Sequence, residues 1–74
     1  MKEFAILEFD QRTWSLTQGN GKDPQKIPEG YSLPRILNDC GRHGWDIVNM
    51  NGGEKIRQIL LQRDGSKRWD EIQF

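Results

Sequence analysis

The sequence predicts an α+β fold in which one helix packs on one face of a three-stranded, mostly antiparallel sheet, in the order β-α-β-β; a fourth strand is the alternative. Three observations predict it. Apolar residues between positions 33 and 40 recur at helical spacing, residues 2–9, 46–51 and 55–63 carry the apolar runs of strands, and Asn51-Gly52 is a strong hairpin signal. The 74 residues are expected to form one small domain.

The first strand is predicted over residues 2–9, where apolar side chains occupy both even and odd positions. Because neighbouring positions of a strand point to opposite faces, this pattern is typical of a strand that is shielded on both sides. A half-buried ribbon is predicted over residues 13–17, in which Trp14 and Leu16 alternate with hydroxyl side chains. Residues 18–31 are predicted to be a solvated connector, because glycines and prolines interrupt every regular period there.

The helix is predicted to begin after Ser32, a good N-cap, and to end near residue 43. Its apolar stripe consists of Leu33, Ile36, Leu37 and Cys40. Gly44 supplies the stop, because a helix end usually needs a left-handed residue and glycine adopts that conformation without strain. Trp45 follows directly. We expect its ring to fold back over Cys40 and to lock the helix against the next strand.

The two strands after the helix are predicted to form a hairpin whose turn is Asn51-Gly52. This turn would place Ile47 opposite Ile56. A turn one residue later, at Gly52-Gly53, would shift that register by two residues, and the sequence leaves both turns open.

The other face of the predicted sheet lacks a helix to cover it. Residues 55–63 are expected to form the central strand, and apolar side chains of the first and last strands point to both faces. The uncovered face would need the Trp14 ribbon, a second copy of the chain, or the C-terminal tail, residues 65–74, whose Trp69, Ile72 and Phe74 predict that it docks on a surface. An exposed apolar face of this kind normally marks an interface.

Charge and composition narrow the class of partner. Eleven basic and eleven acidic residues give no net charge, so the chain has no long-range field that would gather DNA or an acidic membrane surface. One cysteine cannot form an internal disulfide, and no apolar run reaches the roughly 20 residues of a membrane span. These features predict a cytoplasmic protein with neither a membrane nor a DNA partner.

The region around the helix end resembles a widespread family of small bacterial and phage proteins of unknown function. The resemblance rests on Leu37, Asn38, Gly44, Trp45, Asp46, Ile47, Val48 and Arg63, and it covers about two-thirds of the chain. The connector and the residues after Asp64 depart from the family pattern. The resemblance implies a compact α+β domain from a prokaryotic or phage source, and it implies no catalytic residues.

Catalytic and metal chemistry find little support in the sequence. Cys40 lies on the apolar stripe of the helix, where burial raises a thiol pKa and suppresses its reactivity. His43, three residues later, could pair with Cys40 in an enzyme, but no third residue that would orient the pair is apparent. One cysteine and one histidine cannot supply the ligands of a zinc site. We therefore expect a protein that is not an enzyme and that needs no cofactor.

One group of residues suggests a ligand. Arginine and lysine can hold a phosphate while tryptophan stacks on a base, and Arg63, Lys67, Arg68 and Trp69 lie close together in the sequence. This group predicts a site for a nucleotide. The plainer interpretation is that these residues form a solvated strand end. Trp14 is the other tryptophan expected to serve a binding contact.

The sequence thus favours a non-catalytic protein that self-associates, as a homodimer or a higher oligomer, through its bare sheet face. It would bind a protein partner stoichiometrically, as an inhibitor or adaptor in a bacterial or phage-infected cell; this last step is by analogy. The alternatives are an oligomeric protein that sequesters a nucleotide, and an enzyme that uses Cys40 and His43.

Overall fold

The computed structural model describes residues 1–52 and 55–74. One antiparallel sheet and one helix make up its regular structure, so the predicted α+β class is confirmed. The elements are β1 (Lys2–Asp10), β2 (Thr13–Gln18), β3 (Gln25–Lys26), α1 (Leu33–Arg42), β4 (Asp46–Asn51) and β5 (Gln58–Asp64). The strand order is β3-β2-β1-β5-β4. As predicted, the last strand lies between the first strand and its hairpin partner, but β1 and not β5 is the central strand of the sheet.

The predicted number of strands is wrong: the described residues form a sheet of five strands rather than three or four. The predicted ribbon is a full strand, β2, and the connector contributes β3, which pairs with Ser15 and Leu16. The reason lies in Ile27, the apolar residue of the connector that is 1% exposed. Its N–H donates to the carbonyl of Trp14 at 2.9 Å, so burying Ile27 draws the preceding residues alongside β2.

The helix begins and ends as the sequence predicts. Ser32 Oγ accepts a hydrogen bond from the N–H of Arg35 at 3.3 Å and caps α1. Gly44 has a φ of 82°, the left-handed conformation expected of a helix stop. The N–H of Trp45 then donates to the carbonyl of Cys40 at 3.1 Å, and the Trp45 side chain is 4% exposed. The chain therefore returns to the helix end at Trp45, as predicted, and Trp45 belongs to the buried cluster that also contains Cys40.

The core lies between the helix and one face of the sheet. Its sheet side is formed by residues at alternating strand positions, and its other side by α1, the connector and the tail. The buried residues are Ala5, Leu7, Leu16, Ile27, Ile36, Cys40, Trp45, Ile59, Leu61 and Ile72. Complete burial of a leucine or isoleucine side chain contributes about 1.5–3 kcal/mol, so this single layer supplies most of the stabilisation.

The predicted register of the hairpin between β4 and β5 is wrong. Ile47 pairs with Leu61 rather than Ile56, and a β-bulge at Val48 shifts the rest of the ladder. The observed register places Ile47 and Met50 on the same face as the buried residues of β5. Because β4 ends at Asn51 and β5 begins at Gln58, the two strands are not joined by a two-residue turn. The alternative turn at Gly52-Gly53 involves residue 53, which lies outside the described residues.

The C-terminal tail docks on its own chain, on the helix side of the sheet. Ile72 is 2% exposed, and its carbonyl accepts a hydrogen bond from Gln25 Nε2 at 2.7 Å. The Phe74 ring meets the Tyr31 ring edge to face, with 6.4 Å between their centroids. The tail therefore completes the helix-side layer, and no described helix, strand or tail residue covers the opposite face of the sheet.

We call that opposite face the open face, and its apolar residues are Phe4, Ile6 and Leu60. Phe4 and Ile6 are 49% and 42% exposed, and Leu60, which pairs with Ile6, is half-buried. Polar side chains surround them; Gln58, for example, donates through Nε2 to a carboxylate oxygen of Glu8 at 2.9 Å. The open face is thus less apolar than the sequence pattern suggests.

Candidate functional site

The structure divides the predicted binding residues between two ends of the helix-side layer. Arg63 pairs with Glu3 at the start of β1, whereas Trp14 pairs with Phe9 near its end. Six residues of extended strand separate Glu3 from Phe9, a distance of roughly 20 Å. The predicted group around Arg63 and the Trp14 side chain therefore belong to different surfaces.

Arg63 is held by contacts within the fold. Its Nε donates to Glu3 Oε2 at 2.8 Å, and its Nη1 donates to the carbonyl of His43 at 3.1 Å. The guanidinium carbon lies 4.1 Å from the centroid of the Trp45 ring and 5.7 Å from that of Trp69. The side chain is 11% exposed. A phosphate at this position would have to compete with a carboxylate that is already in place.

The other three predicted residues at this end are more accessible. Trp69 is half-buried, and its Nε1 donates to the carbonyl of Asp64 at 3.1 Å. Its ring covers Gly44 so closely that a Cβ at Gly44 would overlap it. The Lys67 ammonium lies 6.0 Å from the centroid of the Trp69 ring, and Arg68 is exposed. Of the predicted residues at this end, Lys67 and Arg68 are therefore the cations that a ligand could reach without displacing an internal partner.

A groove of about 440 Å³ opens beside this cluster, with Glu3, Gln18, Trp45 and Arg63 among its lining residues. The indole N–H of Trp45 is buried, and none of the described residues accepts a hydrogen bond from it. Leaving a buried donor unpaired costs about 1–3 kcal/mol, which the packing of the ring must offset. The pattern of apolar residues along the sequence contains no signal for this unpaired donor.

Trp14 lies at the opposite end, in a shallow pocket of about 280 Å³ that we call the Trp14 pocket. Its lining residues are Phe9, Trp14, Lys55, Ile56 and Arg57. The sequence indicates Trp14 as a contact residue but does not bring it together with Lys55 and Arg57. The sequence does not indicate Phe9 or Ile56 as site residues, because their place in the pocket depends on the strand pairing that sets Phe9 opposite Trp14.

A third surface is the outer edge of β4, which we call the β4 edge. All six residues of β4 are exposed, and among the described strands none pairs with its outer side. Ile47, Val48 and Met50 are 46%, 46% and 40% exposed. The Met50 N–H donates to Asn49 Oδ1 at 2.8 Å, within the strand itself. A strand edge that has no partner strand and that carries apolar side chains is a template on which another strand can add.

Cys40 and His43 lack the arrangement of a catalytic pair. Cys40 is 1% exposed, and burial, with a smaller effect from the charge of Asp39, raises the pKa of its thiol to about 12. His43 Nδ1 lies 3.0 Å from the carbonyl of Asp39, so this nitrogen is engaged by the backbone. A thiol with so high a pKa is protonated at neutral pH and is a poor nucleophile.

We expect the Cys40 thiol to be unreactive in the folded protein. An aromatic disulfide reagent at neutral pH should label it only as fast as the chain unfolds, and denaturant should raise the rate by several orders of magnitude. The measurement is the absorbance of the released thiolate with and without denaturant. Rapid stoichiometric labelling of the native protein would contradict this burial and would reopen the Cys40–His43 alternative.

Metal and membrane features can be stated for the described residues. Within residues 1–52 and 55–74, no three metal-ligating side chains lie close enough together to hold a metal ion. In the same part of the chain, no helix combines the length and the apolar character that crossing a membrane requires.

Comparison with protein families, with curated proteins and with solved structures gives no match to this chain. The resemblance to a bacterial and phage family therefore stays a prediction.

Proposed function

We propose that this protein is a small, non-catalytic binding module that self-associates and acts by stoichiometric binding of a protein partner. The observation that carries the proposal is the β4 edge: a six-residue strand at the rim of the sheet whose residues are all exposed. A second copy of the chain pairs with this edge, so that the dimer carries two open faces side by side. The partner protein binds to these open faces.

Proteins usually protect edge strands of this length. Short edge strands, lysines, prolines and bulges are the common means. The opposite edge of the sheet follows this rule, because β3 has only two residues, one of which is Lys26. The β4 edge has the bulge at Val48 but neither lysine nor proline. Its one charged residue, Asp46, lies at the end of the strand. An edge that is long, apolar and weakly charged favours strand addition.

A second copy of the chain is a suitable occupant of the β4 edge. Antiparallel pairing about a two-fold axis would bring each β4 against itself and close the assembly as a dimer. Because the bulge leaves Ile47 and Met50 on one face, the two half-exposed side chains can cover their counterparts across the junction. Asp46 would then lie at the two ends of the junction, away from the other Asp46, so charge repulsion is small.

This proposal assigns self-association to an edge, whereas the sequence assigns it to the bare sheet face. The reason is the composition of the open face, where Phe4, Ile6 and Leu60 are surrounded by polar side chains such as Glu8 and Gln58. Such a mixed surface is typical of an interface with a different protein. Because the predicted source is bacterial or phage, a host protein is the expected partner. The protein is expected to act on that partner as an inhibitor or an adaptor.

We expect Val48→Lys to abolish self-association. A lysine at this half-exposed bulge places charge at the centre of the junction, while the core contacts of the monomer stay intact. Sedimentation velocity over a wide range of concentrations should show a dimer for the unsubstituted protein and a monomer for the variant. Circular dichroism should show that both are folded.

Ile6→Lys is the matched control, because it makes the same kind of change at a similar exposure on the open face. It should leave the dimer intact and should reduce capture of a partner from bacterial lysate relative to the unsubstituted protein. If the unsubstituted protein is a monomer at every concentration, the self-association proposal is wrong. A dimer that Ile6→Lys dissociates and Val48→Lys does not would assign self-association to the open face instead.

A further inference from the structure

We propose that the Trp14 pocket binds a small aromatic anion, meaning a planar ring that carries a carboxylate or phosphate group. The pocket brings two aromatic rings, one aliphatic side chain and two cations around a volume of about 280 Å³, enough for one ring system. It is distinct from the β4 edge and from the open face. The inference therefore stands whether or not the protein self-associates.

The wall of the pocket is an aromatic pair supported by the core. The Phe9 and Trp14 ring centroids lie 5.2 Å apart with their planes inclined by 52°, a favourable tilted contact. Both side chains are half-buried, so part of each ring packs inside and part remains accessible. Ile56, also half-buried, packs against the core cluster and adds an aliphatic surface. A flat apolar ligand can lie against these side chains without a rearrangement of the core.

Backbone hydrogen bonds hold the main chain of the two basic residues, Lys55 and Arg57, beside this wall. The N–H of Phe9 donates to the carbonyl of Arg57 at 2.8 Å, and the N–H of Arg57 donates to the carbonyl of Asn51 at 2.9 Å. The N–H of Lys55 donates to the carbonyl of Gly52 at 3.1 Å. The main chain of Arg57 is therefore tied to β1 and to the end of β4, and that of Lys55 to Gly52, while both side chains are exposed and can turn toward a ligand.

The charges select the class of ligand. A guanidinium forms paired hydrogen bonds with a carboxylate or phosphate and can also stack on a ring, and an ammonium adds a second positive charge. The chain as a whole carries no net charge, so a long polyanion gains little from the rest of its surface. A single ring with one anionic group matches both the size of the pocket and its local charge.

The test uses the indole N–H resonances of the three tryptophans in a nitrogen-15 correlation spectrum, because Trp14 reports on one end of the helix-side layer and Trp45 and Trp69 report on the other. The probes are 1-naphthaleneacetate with its neutral amide, and adenosine monophosphate with neutral adenosine. At least one anion should shift the Trp14 resonance at millimolar or lower concentration, with much smaller shifts at Trp45 and Trp69. Its neutral counterpart should bind at least about fivefold more weakly, as expected for the loss of contacts with two exposed cations.

A charge-matched pair of double variants locates the site. Lys55→Gln with Arg57→Gln should weaken binding of the anion about tenfold, since each exposed charge contributes up to roughly a factor of five. Lys67→Gln with Arg68→Gln makes the same change in net charge at the other end of the layer and should leave the affinity unchanged. Both changes fall on exposed side chains, so both variants should remain folded.

The outcomes separate the two sources of such a ligand and the ways in which the proposal fails. A shift with adenosine monophosphate alone points to nucleotides, and one with naphthaleneacetate alone points to aromatic carboxylates. Either result supports the site. Equal binding of the anions and their neutral counterparts, shifts centred on Trp69, or an unchanged Trp14 resonance with all four probes would overturn it.

Discussion

Trp45→Ala should unfold the protein or bring it close to unfolding. The Trp45 side chain is 4% exposed, lies against the Arg63 guanidinium and belongs to the single core cluster of the described residues. Truncating a buried aromatic side chain costs about 3–5 kcal/mol. A chain of 74 residues has a total stability of roughly 4–11 kcal/mol. Urea denaturation followed by circular dichroism should show the loss as a large drop in the midpoint.

Trp45→Phe separates the packing of the ring from its hydrogen-bonding group. The buried indole N–H has no acceptor among the described residues, so the substitution removes an unpaired donor together with part of the ring. We expect it to cost less than half as much as Trp45→Ala. Trp14→Phe, at a half-buried position, is the control for loss of a tryptophan as such and should change the midpoint little. A Trp45→Ala variant with nearly full stability would disprove the role of this ring in joining helix and sheet.

The two ends of helix α1 show why part of the fold could be predicted from the sequence. Each of its signals is local: Ser32 caps the first turn, Gly44 takes a left-handed conformation, and the Trp45 N–H returns to the carbonyl of Cys40. Interactions between residues that are few positions apart depend little on the rest of the chain. The limits of α1 and the return of the chain at Trp45 follow from them.

The hairpin and the connector show where sequence reasoning fails. Asn51-Gly52 favours a two-residue turn locally, but the observed register instead places Ile47 beside Leu61 in the sheet. In this register Ile47 and Met50, although 46% and 40% exposed, lie on the same face as the buried residues of β5, and the turn preference gives way to that pairing. Likewise, β3 exists because Ile27 finds a buried position, which depends on distant strands and on the tail. Effects of this kind are set by the assembled core and are absent from any short stretch of sequence.

The candidate sites were predictable only in part, for the same reason. The sequence places Arg63 and Trp69 near one another, and the structure brings them within cation–π distance. The sequence gives no sign that Glu3, sixty residues away, would pair with Arg63. That pairing changes the interpretation of Arg63 from a residue that could receive a ligand to one that holds the ends of β1 and β5 together.

Arg63→Ala should therefore lower stability substantially, by about 2–4 kcal/mol. The substitution removes a short ion pair with Glu3, a hydrogen bond to the carbonyl of His43 and the cation that covers the Trp45 ring. Removing one partner of a buried pair costs about 3–5 kcal/mol, and the partial exposure of Glu3 reduces that figure here. Urea denaturation should show the loss directly.

Two further variants determine whether this cost reflects the geometry of the guanidinium. Arg63→Lys keeps the charge but loses the planar group that lies over Trp45 and bonds two acceptors at once, so it should recover less than half of the lost stability. Arg68→Ala removes an arginine from an exposed position in the tail and should change stability by no more than about 0.5 kcal/mol. If Arg63→Ala were as stable as Arg68→Ala, the internal contacts of Arg63 would contribute nothing measurable. Its guanidinium would then be available to an anionic ligand, as the sequence alone suggests.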